Sequence, residues 1–128
     1  MTKSDKHHKA LIAIRIMLAA VMFSHGAARI SYGTVGGFGD FLGSQGIPVG
    51  FFVAWGITLF ELIGSVLLAI GFYTWIVALV FALQLVIGIG LVHYSEGWFV
   101  VGHGRNGMEF SVVLIASLIA VAYADYKK

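Results

Sequence analysis

Residues 49–70 read VGFFVAWGITLFELIGSVLLAI, and Glu61 is the single charged residue among them. At ~1.5 Å rise per residue this stretch makes a helix of ~33 Å, enough to cross a hydrocarbon core of ~30 Å. A surface helix of a soluble domain shows one apolar stripe, whereas this segment is apolar on every side. Three further apolar runs follow the same pattern, at about 10–30, 73–93 and 108–123. Over all 128 residues, 59% are apolar and 11% are charged, and the mean hydropathy is +0.94. Soluble domains carry ~25% charged residues, so this chain has too few charges to coat a globule in water. The expected fold is an all-α membrane protein: one domain over 1–128, folded as a bundle of four transmembrane helices.

Basic residues orient the spans. Lys3, Lys6 and Lys9 stand before the first span, and Lys127 and Lys128 after the last. The two longer loops, about 31–47 and 94–106, hold Arg105, with Arg29 at the edge of the first span. An even number of spans puts both tails on one side. The five-to-two bias makes that side the cytoplasm, in a multi-pass protein of the inner membrane. The basic start and the small residues Gly26, Ala27 and Ala28 suggest a signal peptide, but the run is long for one and contains Arg15, so a retained span is expected. In the first outer loop Val35, Phe38, Phe41 and Leu42 recur at three- and four-residue steps, the spacing of a short interfacial helix with its apolar side toward the membrane.

No cysteine is present, which removes disulfides, iron–sulfur clusters and thiol redox chemistry from this chain. The net charge of +2 resides in the tails and is no nucleic-acid signature. Chemistry must come from polar groups inside the spans, where an ionisable side chain costs ~2.5–3.5 kcal/mol on insertion scales and marks a site by default. Arg15 and Glu61 lie at depths that differ by ~6 Å, close enough to pair as a structural intramembrane salt bridge. Such a pair leaves Glu61 a poor proton carrier. Thr58 and Ser65 extend a polar stripe along the second span, and Gln84 sits in the middle of the third with Gly88 one turn on, a packing position.

Arg15, Met22 and Arg29 recur every seven residues with His25 near the same face, so the first span should show one side to the protein along its length. His25 and Arg29 at the outer end of that span, His93 at the end of the third and Glu109 at the start of the fourth reach one depth beneath the outer loops. With Trp98 they are the candidate ligand-binding residues. Each also has a plain structural role: an interfacial His or Trp, a snorkelling Arg, and for Glu109 a capping box opened by Asn106. His25, His93, His103 and Glu109 include metal donors, but no HxxxH or HxxE pair lies on one helix, and neither a metal nor a haem is expected. Residues 102–107 read GHGRNG, which fits the GxGxxG string without the strand a dinucleotide site requires. In its place, free N–H groups at the start of the fourth helix and Arg105 would favour an anion.

Taken in order, the chain resembles the DoxX family of small four-span prokaryotic membrane proteins. The matching pieces are Arg15, then Phe23-Ser24-His25-Gly26 with Arg29, Gly37-Phe38 with Phe41-Leu42, and Gly46-Ile47-Pro48. Glu61 with Gly64 follows, then His93, Gly97-Trp98-Phe99 and Gly104-Arg105-Asn106-Gly107 with Glu109. The resemblance implies a four-span fold and redox partners, since the family name derives from a subunit of a thiosulfate:quinone oxidoreductase and some relatives are linked to superoxide dismutase and a sulfurtransferase. The expected function is an accessory or scaffold subunit of a membrane-associated redox system, without catalytic residues of its own, binding a quinone-like lipophile in an outer polar pocket. Its partners would be membrane lipids, redox subunits or further copies of itself, and no nucleic acid. The alternative is an oligomeric pathway for a small solute or protons, built on Glu61 and Gln84.

Overall fold

The computed structural model describes residues 1–126; Lys127 and Lys128, part of the charge argument for orientation, lie outside the described residues. Five α-helices follow in order: α1 Lys3–Ser31, α2 Val35–Ser44, α3 Gly50–Ile70, α4 Thr74–Gly88 and α5 Glu109–Asp125. A π-helical turn, Ile89–His93, and a 3₁₀ turn, Tyr94–Glu96, prolong α4. No strand occurs among the described residues. Three helical segments are long and apolar enough to cross a membrane: Lys3–Ser31, Gly50–Ile70 and Thr74–Glu96. At ~1.5 Å per residue, the 17 residues of α5 reach only ~26 Å.

Helix α1 begins well before the apolar run at Ala10, and a capping box explains why. Thr2 Oγ1 accepts the Asp5 backbone N–H at 3.1 Å, and Asp5 Oδ2 accepts the Thr2 N–H at 3.1 Å and the Thr2 hydroxyl at 2.8 Å, so two end donors are satisfied reciprocally. The bond from the Thr2 hydroxyl, followed by the backbone bond, holds the Asp5 carboxyl below its usual range. A lowered carboxyl stabilises the folded form above its unfolded pKa and loses that contribution as pH falls through the folded value. The first turn of α1 is therefore expected to fray on acidification below about pH 4, and Asp5→Asn to abolish that dependence, read from amide exchange at Asp5 and Lys6.

The described chain divides into two compact units, residues 1–18 with 73 onward, and residues 19–72. In the first, α4 packs on α5. Thr74, Val77, Ala78, Phe81 and Ala82 form the buried stripe of α4, and Ser111, Leu114, Leu118, Val121 and Ala122 that of α5, both at helical spacing. The outward faces carry Leu79, Val80, Leu83, Val86, Ile87, Val113 and Ile119. Large apolar groups on the outward faces suit a hydrocarbon surround, and the small residues Ala78, Ala82, Ser111 and Ala122 within the buried stripes let the helices approach. Trp75 meets Tyr126 edge to face with ring centroids 5.0 Å apart.

In the second unit, α2 lies on α3 through two glycines. A Cβ on Gly39 would stand 3.0 Å from Phe51 Cα, and one on Gly50 would strike the Gly39 carbonyl oxygen. The short helix expected in the first outer loop is thus present, but the side assigned to the membrane is not wholly available to it: Val35 and Leu42 are buried in the protein, and Phe38 and Phe41 are partly covered. Helix α3 ends in a Schellman motif. Gly71, at φ 82°, donates to the Leu68 carbonyl at 3.3 Å and Phe72 to that of Leu67 at 2.9 Å.

Candidate functional site

The residues 19–72 unit holds one charged cluster inside its apolar body. Glu61 sits in the middle of α3 at 2% exposure, and its Oε1 accepts a hydrogen bond from Arg29 Nη1 at 2.5 Å. The same Arg29 nitrogen donates to Thr58 Oγ1 at 3.0 Å, and Phe38 of α2 lies under the guanidinium, 4.5 Å from ring centroid to Cζ. Thr58 donates its own hydroxyl to the Ala54 carbonyl at 2.8 Å, and Ser65 donates to the carbonyl of Glu61. Two charges of opposite sign, one ring face and the Thr58 hydroxyl link three helices, while the Ser65 bond stays within α3. The close approach depends on Gly26, where a Cβ would meet the Thr58 carbonyl at 3.0 Å and Glu61 Cβ at 3.1 Å.

Each member of the expected Arg15–Glu61 pair meets a further charge. Glu61 is bonded by Arg29, and Arg15 stands 3.9 Å from Asp125 at the end of α5. Gly26 is where α1 meets Glu61, and Arg29 lies within one turn of it on the same face. The seven-residue stripe is observed: Met22 is 1% exposed, and the Arg15 and Arg29 side chains are largely covered. His25 departs from it. Three residues from Met22 is a rotation of about 60° off the stripe centre, and His25 is exposed.

In the other unit the remaining candidates fasten a loop. Residues 97–99 meet 107–109: Gly107 N–H donates to the Phe99 carbonyl at 3.1 Å, Met108 to Gly97 at 2.9 Å and Glu109 to Trp98 at 3.0 Å. The Glu109 carboxylate reaches across to accept the Val100 N–H at 2.9 Å. A Cβ on Gly107 would lie 2.5 Å from backbone atoms of Trp98 and Phe99, so only glycine closes the loop this tightly. Of the amides at this helix start, those of Gly107, Met108 and Glu109 are occupied by the loop's own carbonyls. Nor does Asn106 cap the helix: it is left-handed at φ 59°, and α5 starts after Met108 with Glu109 as its first residue.

The Asn106 carbonyl has another task. It receives His93 Nδ1 at 2.8 Å, and because a carbonyl only accepts, Nδ1 carries the proton. In the neutral ring Nε2 is then an acceptor. His93 ends the π turn, a feature common at functional sites. Trp98 is 47% exposed, and Phe99 meets His103 edge to face at 5.6 Å. Among the described residues, no three His, Asp or Glu side chains gather as a metal site. Glu109→Ala removes the acceptor of Val100 and is expected to cost about 1.5 kcal/mol, seen as roughly tenfold faster exchange of the Val100 amide.

Within each unit, then, Arg29 belongs to the Glu61 cluster, and His93, Trp98 and Glu109 to the closed loop. Sequence reasoning missed Phe38 as the ring under Arg29, Asn106 as the partner of His93 and Asp125 as that of Arg15. The visible signal for Asp125 was a single acidic residue where the last apolar run ends. The DoxX family model matches residues 10–94. No curated protein and no solved structure matches the chain.

Proposed function

The chain belongs to the DoxX family, and from that premise we propose that this membrane protein is a non-catalytic accessory or scaffold subunit of a membrane-associated redox system that holds a quinone-like lipophile at its outer face. The observation that carries the reading is the tautomer of His93. Its proton is committed to Asn106, so the neutral ring presents an acceptor to a hydroxyl donor such as the head group of a quinol. The half-exposed Trp98, in the loop that Glu109 fastens, supplies a flat apolar surface for the ring.

The reading places the chain in the inner membrane with both tails cytoplasmic, by the excess of Lys3, Lys6, Lys9, Lys127 and Lys128 over the outer loops. Helix α5 would be the fourth span, at the lower end of the ~17–25 residues a span requires, and α2 would rest at the outer interface. Arg29 donating to Glu61 favours this reading over a proton pathway, which needs a carboxylate free to change partners.

Binding of a short-chain quinol and of its quinone to the full chain in lipid nanodiscs tests the proposal. Quinol is expected to bind more tightly than quinone, and His93→Ala to weaken quinol binding roughly tenfold, the worth of one buried hydrogen bond. Equal affinity for both forms, unchanged in the His93 variant, overturns the ligand. The chain would then be a scaffold alone.

A further inference from the structure

At the opposite end of the unit that contains the loop, α1 and the last turn of α5 line an open recess of about 210 Å³. Ser4, His7, His8, Arg15 and Asp125 supply its polar wall. Leu11, Ile12, Val121 and Ala124 supply the apolar part. On α1 these positions form one stripe at helical spacing, and they straddle the start of the apolar run at Ala10. Ser4, His7 and His8 lie on the tail side of that boundary, and Leu11 and Ile12 on the hydrocarbon side. The occupant such a recess suits is polar at one end and apolar at the other, which is a lipid rather than a soluble ion.

The charges select among lipids. A guanidinium and a carboxylate stand 3.9 Å apart in the wall. A head group with only a negative charge would meet repulsion from Asp125, and one with only a positive charge would meet Arg15. A zwitterion matches both: its phosphate faces Arg15 and the imidazole and hydroxyl donors of His7, His8 and Ser4, and its cation faces Asp125. A primary ammonium has three N–H donors for the carboxylate, whereas a trimethylammonium has none. Lys3, Lys6 and Lys9 add a general attraction to anionic membrane surfaces, but they do not line the recess and give no selectivity. We propose that this recess binds the phosphoethanolamine head group of a phospholipid in the leaflet on the side of the two tails.

The test is native mass spectrometry of the full chain released from mixed micelles holding equal amounts of phosphatidylethanolamine, phosphatidylglycerol and phosphatidylcholine with identical acyl chains. Phosphatidylethanolamine is expected to be retained roughly fivefold over each of the others, the scale of one partly exposed ion pair. Asp125→Asn should bring its ratio to phosphatidylglycerol near one. The double variant His7→Ala/His8→Ala changes only exposed side chains, leaves the Arg15–Asp125 pair in place, and should lower retention of phosphatidylethanolamine with the melting temperature unchanged. Equal retention of all three lipids, or a phosphatidylglycerol preference untouched by Asp125→Asn, overturns the proposal. Displacement of the lipid by micromolar soluble phosphoethanolamine would assign the recess to the free metabolite instead and also overturn it, whereas no displacement at millimolar concentration supports the lipid.

Discussion

Glu61→Ala is expected to destabilise the chain by about 3 kcal/mol, because it strands the Arg29 guanidinium inside the helices with only Thr58 and the Phe38 ring as partners. The side chain of Glu61 is 3% exposed and that of Arg29 18%, so water cannot readily replace the missing carboxylate. A protein with a net stability of about 5–15 kcal/mol loses a large part of it in this one step. Removing both charges together should cost far less. Arg29→Leu/Glu61→Leu leaves no buried charge, and apolar replacements of paired ions are often neutral or stabilising. The double-mutant cycle closed by the single variants Arg29→Leu and Glu61→Leu, measured by unfolding in detergent, should therefore return a coupling of about 2 kcal/mol or more between the two residues. A double variant as unstable as Glu61→Ala would mean that the cluster does not hold the helices, and the assignment of Arg29 and Glu61 to structure would fall. Arg29→Lys tests geometry apart from charge: the ammonium keeps the sign but loses the planar fork and the stacking on Phe38, so partial destabilisation is expected.

The spans were legible because a hydrocarbon core imposes a length and a composition that no other environment demands. The helical state of 49–70 could be read from Glu61 standing alone among apolar residues, and the inward side of α1 from the seven-residue recurrence of Arg15, Met22 and Arg29. The Arg29–Glu61 and Arg15–Asp125 contacts were not legible. Depth counted from the ends of apolar runs is loose by a few residues at each end, and helix α1 itself extends beyond the apolar run to Lys3 under the Thr2–Asp5 box. The true register follows from a contact, Gly26 against Thr58 and Glu61, and a contact between distant glycines and carbonyls leaves no local mark in a sequence. His25 was misplaced by a smaller angle, since a residue three steps from a face centre sits at its edge and falls inside or outside according to which neighbour is bulky. At the start of α5 the local rule was sound but lost to the loop. Asn106 could cap a helix, yet its carbonyl is used by His93 and its backbone is left-handed, while Gly107 permits an approach that fixes Met108 and Glu109 instead.

Gly50→Val is expected to detach α2 from α3. A Cβ at position 50 strikes the Gly39 carbonyl oxygen and lies 3.1 Å from the Gly43 nitrogen. Both are backbone atoms of a helix and cannot rotate aside, so the clash is relieved only by moving the helix. Overpacking costs about 1–3 kcal/mol where neighbours can shift, and here α2 itself must move. That helix has little to fall back on. It is 10 residues long without a side-chain N-cap bond, and isolated helices below ~12–15 residues are marginal in water. Its glycines Gly36, Gly37 and Gly43 face open space, so they weaken it without a packing return. Gly43→Ala is the matching control, expected to stabilise by about 0.5–1 kcal/mol. Hydrogen exchange should separate the two: amides of Phe38 to Ser44 become fast in Gly50→Val and slower than wild type in Gly43→Ala. If exchange in Gly50→Val matched wild type, the glycine contact would not be what holds α2. The consequence reaches the charged cluster, because α2 carries the Phe38 ring beneath Arg29. Loss of α2 uncovers the guanidinium while leaving its bond to Glu61 in place, so adding Gly50→Val should shrink the Arg29–Glu61 coupling as water enters beside the pair.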